Sequence, residues 1–279
     1  MRQACPVPPQ PDLDPACVWV FDGAPDPPVL PWVVPPDLPP RGRSPVGAPD
    51  EPAPTCIVAV DRGLVHATAL GFVPDVVVGD LDSVGRADLD RWRKARPDGL
   101  LRRHPTDKDA SDLDLALEFA GTLGPDRVVV LSGGGGRLDH LLTSVLCLGR
   151  PEHARLPLTA YVGKSVVLPI AQGATRELPQ LLPLLVAADA WPAAGRRQAP
   201  AILTLLAVGG PATLETSGLR WNLTADDTLP AGSSRGLSNE AAPAEPGTVA
   251  EPPRVRVLAG TVVAIASRQD ARRGSRSRS

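Results

Sequence analysis

The sequence predicts an α/β fold with a mostly parallel sheet flanked by helices, in a Rossmann-like three-layer arrangement, followed by a smaller antiparallel β-sandwich domain. Up to about residue 150, short runs of consecutive apolar residues alternate along the chain with segments of helical pattern. Such runs are typical of parallel strands that are buried on both faces. After that point, short strand patterns separated by turn residues follow one another without a strong helical pattern, as in a β-sandwich.

The elements of the first domain follow in a regular order along the chain. The clearest helix pattern lies at 111–124, where apolar residues recur at helical spacing, Ser111 is suited to cap the helix and Asp112 suits its positive end. The pattern predicts further helices at 64–71, 86–95 and 137–149, and strands at 17–23, 55–63, 75–83, 100–105 and, followed by a glycine loop, 127–136.

These elements and the composition of the remaining segments divide the chain into domains and linkers. We predict a disordered Pro-rich N-terminus at 1–16, an α/β domain at 17–152, a β-sandwich domain at 156–268 and a basic flexible tail at 269–279. A Pro-rich insertion at 25–54 is predicted to lie on the surface of the first domain.

The charge balance and the cysteines exclude several classes of protein. The net charge of −2 provides no overall positive field to hold nucleic acid or an anionic membrane. No cysteine pair has CxxC spacing, and no histidine lies near such a pair at zinc-ligand spacing, so free thiols in a cytoplasmic protein are expected. No secretory signal is expected after Met1, and the most apolar segment is too short to span a bilayer.

Carboxylates and glycines gather at the ends of the predicted strands. Asp61 ends one strand, and Asp80 and Asp82 end the next. A glycine run ends a third strand and leads to Arg137 and Asp139. Because ligands bind beyond the carboxyl ends of parallel strands, we expect these groups to lie close together. Taken singly, each has a plainer interpretation as a turn, a helix cap or a flexible loop.

The combination predicts a site for a magnesium-bound nucleotide. Carboxylates on one edge suit Mg²⁺, and glycines before a helix expose backbone amides to phosphate oxygens. Lys108 and Arg137 add positive charge. The chain has no GxxxxGK[ST] motif and no GxGxxG motif followed by an acidic residue, so neither a P-loop nor a dinucleotide site is predicted.

Four segments resemble the thiamine diphosphokinase (thiamine pyrophosphokinase) family. VVVGDLDSV, PTDKDASDLDLAL and GGGGRLDHLL occur in the order and spacing of that family, and 218–240 resembles the signature of its second domain. The likeness covers roughly 55–150 and 200–265. It implies an α/β catalytic domain, a β-sandwich, a homodimer with thiamine bound where the subunits meet, and the conversion of ATP and thiamine to AMP and thiamine diphosphate.

The resemblance also implies roles for individual residues. For the reaction that the resemblance implies, Asp82 and Asp112 are our two candidates for the carboxylate that accepts the proton of the thiamine hydroxyl, and the sequence does not choose between them. By the family's motifs, the Mg²⁺ ligands would be Asp80, Asp82 and Asp112, the ATP site would include Asp61, Lys108, Ser111, Arg137 and Asp139, and the thiamine site would include Trp221, Ser238 and Asn239.

One departure from the family pattern leaves other functions open. Arg62 stands where the family usually has a glycine, so that it either contacts phosphate or blocks the pocket. A module that binds nucleotide or thiamine without turnover is therefore an alternative. A phosphohydrolase with an Asp nucleophile is a third interpretation, although no covalent-phosphate loop signature is present.

Overall fold

The computed structural model describes residues 16–28, 54–178 except 106 and 108, 201–242 and 252–268. Nearly all of the predicted disordered N-terminus, most of the Pro-rich insertion and the predicted basic tail lie outside the described residues. The stretch near 178–195, whose pattern by sequence is ambiguous between helix and strand, and the rest of the segment 178–200 also lie outside them except for residue 178.

Six parallel strands form the larger part of a nine-stranded sheet. They lie in the order β4-β3-β2-β1-β5-β6, and the first three along the chain are buried over their full length, which explains their unbroken apolar sequences. Their bounds are β1 Cys17–Phe21, β2 Cys56–Val60, β3 Val76–Gly79, β4 Leu100–Arg103, β5 Arg127–Ser132 and β6 Leu158–Val162.

Helices cover both faces of the parallel strands. Trp19 and Phe21 of β1 pack with Ala67 of a helix on one face, whereas Val18 and Val20 pack with the long central helix on the other. This alternation confirms the predicted three-layer arrangement. The helices are α1 Gly63–Ala69, α2 Arg86–Ala95, α3 Asp112–Thr122, α4 Leu138–Leu148 and α5 Pro151–Ala154.

The antiparallel part of the same sheet forms one layer of the β-sandwich. It continues from β6 in the order β7-β13-β9, and a second sheet with the order β11-β10-β12-β8 packs against it. Ile170 and Leu205 of the first sheet share a core with Leu214 and Val257 of the second. The strands are β7 Ser165–Ala171, β8 Thr175–Glu177, β9 Ala201–Ala207, β10 Ala212–Ser217, β11 Thr228–Leu229, β12 Arg254–Ala259 and β13 Thr261–Arg268.

The described elements agree closely with the sequence pattern where the periodicity is strong. α2 has the predicted bounds, and Ser111 caps α3 by accepting a hydrogen bond from the Asp114 amide at 3.2 Å. α4 differs in one respect: its apolar side is left open, with Leu138, Leu142 and Leu146 exposed to 69%, 52% and 53%. No helix among the described residues combines the length and apolarity needed to cross a membrane.

Candidate active site

Three carboxylates meet at the carboxyl ends of β2 and β3. Asp61 follows β2 with a positive φ of 43°, and its Oδ1 atom accepts a hydrogen bond from the Leu81 amide at 3.0 Å. Burial, together with the nearby Asp112 and Asp80 carboxyls, raises the pKa of Asp61 to about 7 against the opposing effect of the Leu81 amide. Three acidic groups of different elements therefore share one location.

This cluster has the donor chemistry of a hard divalent cation. Asp112 is within hydrogen-bonding reach of Asp61, and both Asp112 and Asp80 repel its negative charge. Such a group of oxygen ligands is stable at neutral pH only when protons or a cation offset the repulsion. The Asp80 carboxylate also accepts the Asp82 amide at 3.0 Å, which shapes the turn, whereas the Asp82 side chain is exposed.

Gly79 makes room for the Asp61 carboxylate. Its φ is 145°, and a Cβ atom at this position would lie 1.9 Å from Asp61 Oδ1. We expect Gly79→Ala to destabilise the protein by about 3 kcal/mol or more, because the backbone strain and the clash add together. Urea unfolding measures this change.

Gly124→Ala is the matched control for that substitution. Gly124 also has a positive φ, of 64°, but a Cβ atom there would meet nothing within 4 Å. The control is expected to lose only about 1–2 kcal/mol. Equal losses for the two variants would show that Asp61 does not constrain Gly79.

The raised pKa of Asp61 predicts a pH dependence of stability in protein stripped of divalent cations. Its pKa of about 7 lies above the ordinary 3.8, so the folded state binds the proton more tightly than the unfolded chain. This contribution is fully present below the ordinary pKa, and it is lost as the pH rises to about 7. Thermal unfolding across this range should show the loss in the wild type and in Asp98→Asn, an exposed control. An unchanged slope in Asp61→Asn would contradict the assignment.

The glycine loop that follows β5 contacts a neighbouring segment of the chain. Cβ atoms on Gly133 and Gly135 would lie 1.9 Å from the Asp26 carbonyl oxygen and 1.7 Å from Asp26 Oδ2, and one on Gly136 would lie 2.5 Å from Pro25 Cγ. These glycines are therefore required by close packing of the chain itself. The start of the Pro-rich insertion lies on this loop.

Asp22, at the end of β1, belongs to the same edge of the sheet and is missing from the predicted site. It is buried, it accepts a hydrogen bond from Ser132 Oγ at 2.7 Å, and burial raises its pKa. A sequence signal for Asp22 was present, because CVWVFDG ends a predicted strand with an acidic residue directly before a glycine. The strand that ends at Asp61 has a similar pattern, with Arg62 between the aspartate and the glycine. Asp22 joins the ends of β1 and β5 and so fixes the start of the glycine loop.

The other residues predicted for the nucleotide lie around this edge. Arg137 and Asp139 are exposed at the beginning of α4, where they form an ion pair with a closest distance of 2.6 Å. The Arg137 guanidinium lowers the pKa of Asp139. The hydroxyl of Ser111 is used as the cap of α3. Lys108 lies outside the described residues.

The predicted thiamine residues form a separate group beside the β-sandwich. Trp221 is 55% exposed, and the Arg220 guanidinium lies 4.7 Å from the centre of its ring. The buried Asn239 side chain accepts a hydrogen bond from the Trp221 amide at 3.2 Å and donates one to the Trp221 carbonyl at 2.6 Å. Ser238 is exposed, with a positive φ of 59°. Asn239 thus holds Trp221, and the indole is open to solvent.

The two groups lie at opposite ends of the main sheet. The acidic cluster is at β2 and β3, whereas Asn239 forms a bridge to Leu203 in β9, the edge strand at the other end. Six strands lie between β3 and β9 in the strand order, so seven strand spacings, or about 33 Å along the sheet, separate the two strands. A small molecule cannot contact both groups of one chain.

Comparisons with known proteins agree with this division into two groups. The family model described as "Thiamin pyrophosphokinase, catalytic domain" matches residues 53–160, and the model described as "Thiamin pyrophosphokinase, vitamin B1 binding domain" matches residues 196–251. A curated thiamine pyrophosphokinase of Bacillus subtilis is 36% identical over 94 residues, which are 34% of this chain and 43% of that protein. The matched segment thus spans less than half of the curated relative.

Solved structures share the fold over nearly the whole chain. The crystal structure of thiamine pyrophosphokinase from Bacillus subtilis superposes with a TM-score of 0.63 at 20% identity, covering 91% of this chain and 100% of that one. Thiamin pyrophosphokinase from Geobacillus thermodenitrificans gives a TM-score of 0.60 at 22% identity, covering 91% and 99% of the two chains. At these identities the likeness establishes the fold.

Proposed function

Because the chain belongs to the thiamin pyrophosphokinase family, whose two domain models together match more than half of it, we propose that it transfers the pyrophosphoryl group of ATP to thiamine. The thiamine hydroxyl oxygen forms a bond to the β-phosphorus, the bond from that phosphorus to the α-phosphate oxygen breaks, and AMP leaves. The observation that carries the proposal is the carboxylate cluster of Asp61, Asp80 and Asp112 at the carboxyl edge of the sheet.

We propose that this cluster binds Mg²⁺ together with ATP. Asp80 and Asp112 would hold the ion with Asp82, and Asp61 would lie beside them. When bound, Mg²⁺ supplies positive charge that offsets the charge of the triphosphate. The mutual repulsion of the carboxylates and the raised pKa of Asp61 support this assignment, because both indicate a site that lacks positive charge.

The remaining steps depend on groups of the chain. The Arg137 side chain and the amides of the glycine loop would orient the phosphates, since both are donors at one helix beginning. Lys108, by its place in the family motif, would add a further cation. Asp82 or Asp112 would accept the proton of the thiamine hydroxyl. Most of the rate enhancement in such reactions comes from positioning and charge stabilisation.

Trp221 is proposed to bind thiamine by stacking. The thiazolium ring is cationic and the pyrimidine is flat, so an exposed indole suits both. Arg220, held by Glu240 at 3.2 Å, already covers one face of the indole, and thiamine would take the other, because two cations on one face repel each other.

Trp221→Ala should raise the KM for thiamine about tenfold to thirtyfold, because a desolvated cation–π contact contributes about 2 kcal/mol. The KM for ATP should stay near the wild-type value, since the nucleotide residues lie at the other end of the sheet. Steady-state kinetics with each substrate varied in turn measures both constants. Trp221→Phe is the conservative control and should recover most of the loss, and a thiamine KM that did not change in Trp221→Ala would remove Trp221 from the site.

We further propose that the active form is a homodimer. The nucleotide and thiamine groups of one chain are too far apart to meet, so each site would combine the first group of one subunit with the second group of its partner. The exposed leucines of α4, which begins beside Arg137, offer an apolar surface for such a contact.

A cytoplasmic location is proposed on the chemistry of the cysteines. Cys17, Cys56 and Cys147 are buried free thiols, and none of these described cysteines forms a disulfide. Reduced thiols are typical of cytosolic proteins.

One assay separates this function from the alternatives. The protein is incubated with ATP, Mg²⁺ and either thiamine or buffer, and AMP and inorganic phosphate are measured. AMP that forms only with thiamine supports the proposal. Binding without AMP would favour a non-catalytic module, for which exposed Arg62 at the beginning of α1 is the structural argument. Release of inorganic phosphate without thiamine would indicate a phosphohydrolase.

A further inference from the structure

A buried carboxylate links the beginning of α3 to the connection between α4 and α5. Asp114, in the first turn of α3, is 5% exposed. Its Oδ2 atom accepts a hydrogen bond from Arg150 Nη1, and its Oδ1 atom lies 3.3 Å from His153 Nε2. Arg150 is the N-cap residue of α5, and His153 lies within that helix. One side chain of α3 is therefore tied to two residues of the α5 turn.

His153 is held in place from its other side. Its Nδ1 atom lies 2.9 Å from the Cys147 carbonyl oxygen, which can only accept, so Nδ1 donates this hydrogen bond. Nε2 and Asp114 Oδ1 are both buried and have no other hydrogen-bond partner. Two buried lone pairs that face each other would be costly, so a proton lies between these two atoms. The imidazole thus connects the last turn of α4 to Asp114.

The Cys147 thiol lies on the same side of Asp114. Burial, together with the nearby Asp114 carboxylate, raises the pKa of this thiol to about 12, so it stays protonated at neutral pH. A protonated thiol is a weak hydrogen-bond donor. The charge of Asp114 is therefore balanced on the side of α3 that faces α4 and α5, by Arg150 and by the donors around it.

Asp112 and Asp114 point to opposite sides of α3. Consecutive residues of an α-helix are rotated by about 100°, so residues two positions apart differ by about 200°. Asp112 lies at the acidic cluster, within hydrogen-bonding reach of Asp61, whereas Asp114 pairs with Arg150 on the other side. Contacts that fix the rotation of this turn at Asp114 therefore also fix the direction of the Asp112 carboxylate.

The side chain of Asp114 is not used to cap the helix. Ser111 Oγ accepts a hydrogen bond from the Asp114 amide at 3.2 Å, so the cap uses only the backbone of Asp114. In a capping box, an acidic side chain at this position would reach back to the amide of the capping residue. The Asp114 carboxylate pairs with Arg150 instead, so its role is separate from that of the cap.

We propose that Asp114 is a positioning residue, which with Arg150 and His153 fixes the rotation of the first turn of α3 and so directs Asp112 into the acidic cluster. This role rests on the proposed function, in which Asp112 is a ligand of Mg²⁺. Asp114 itself contacts neither the metal nor the substrates, because it lies on the opposite side of the helix. Its effect reaches the site through the backbone of the first helical turn.

Manganese binding by the full-length protein tests this role without an activity assay. Mn²⁺ replaces Mg²⁺ because carboxylate oxygens suit both ions, and the free ion is measured by electron paramagnetic resonance. Asp114→Asn should weaken Mn²⁺ binding about tenfold to a hundredfold, the usual loss when an outer partner of a metal ligand is removed. Arg150→Gln changes a side chain that is 45% exposed, and it should show a smaller loss in the same direction even if Asp114→Asn does not fold.

A double-variant cycle separates positioning from a general loss of structure. In Asp112→Asn the metal ligand is already lost, so adding Asp114→Asn should weaken Mn²⁺ binding by no more than about twofold. Arg96→Gln is the matched control, because it removes the arginine from another largely buried ion pair, with Asp75 just before β3. This control should keep the wild-type affinity for Mn²⁺, since the acidic cluster lies at the other end of β3.

The possible failures are distinguishable. Wild-type Mn²⁺ affinity in both Asp114→Asn and Arg150→Gln would overturn the positioning role and leave the metal site in place. Losses from Asp114→Asn and Asp112→Asn that multiply in the double variant would also overturn it, because the two residues would then act independently. Wild-type protein that binds no Mn²⁺ would contradict the metal site itself, and the positioning role with it.

Discussion

Replacing Asp112 with Asn is expected to lower kcat by about a hundredfold to a thousandfold, the range for removing one preorganised charge-stabilising group. Asp112 lies within hydrogen-bonding reach of Asp61 at the centre of the cluster, and its position at the beginning of α3 is set by the Ser111 cap. Asparagine keeps the shape and removes the charge that attracts Mg²⁺. The affinity for Mg²⁺ should therefore fall together with kcat.

The measurement combines AMP formation with a titration of Mg²⁺ at saturating substrates. Asp109→Asn is the matched control, because it makes the same substitution at an exposed position of the same loop, and it should behave as the wild type. Circular dichroism and thermal unfolding establish that both variants fold. If Asp112→Asn kept wild-type kcat and Mg²⁺ dependence, the carboxylate cluster would not be the metal site.

Mixing two variants that are each impaired at low thiamine concentration is expected to restore activity. Asp112→Asn damages the nucleotide group, and Trp221→Ala damages the thiamine group at the other end of the sheet. In a mixed two-fold dimer, one site receives both damaged groups and the other receives two intact ones. Random exchange of subunits should therefore recover about one quarter of wild-type activity at low thiamine concentration, because half of the dimers are mixed and each has one intact site.

The control for this experiment is a mixture in which both defects lie in the same chain. The double variant combined with wild-type protein should give dimers in which each site has one damaged group, so activity should fall below that of wild type diluted with buffer. Subunits are exchanged by mild denaturation and refolding before assay. Mixed single variants that show only the sum of their separate activities would indicate that each site is built from one chain.

Much of the fold could be predicted from the sequence because local patterns determine it. Buried strands such as β1 and β2 require unbroken apolar runs. The helix α3 requires apolar residues at helical spacing and a capping residue, which is Ser111. The prediction that Asp61 and Asp80 meet also needed no coordinates, since parallel strands end at the same edge. The apolar stripe of α4 was equally visible, but periodicity alone does not tell which surface covers it.

Other features depend on contacts between residues that are distant in the sequence. The pairing of Asn239 with Trp221 requires a loop that returns to β9, and the packing of Asp26 on Gly135 requires a segment that crosses from β1 to β5. No periodicity or motif in the sequence predicts either contact.

The sequence by itself determined the order of the elements, the two kinds of sheet and the carboxylates at the strand ends, because these follow from periodicity and from the rule for parallel strands. Only the tertiary structure decided that one sheet continues through both halves, that the two substrate groups lie far apart, and that Asp114, Cys147 and His153 converge. The reason is physical: helix packing brings together side chains whose spacing of 6 to 39 positions has no local signature.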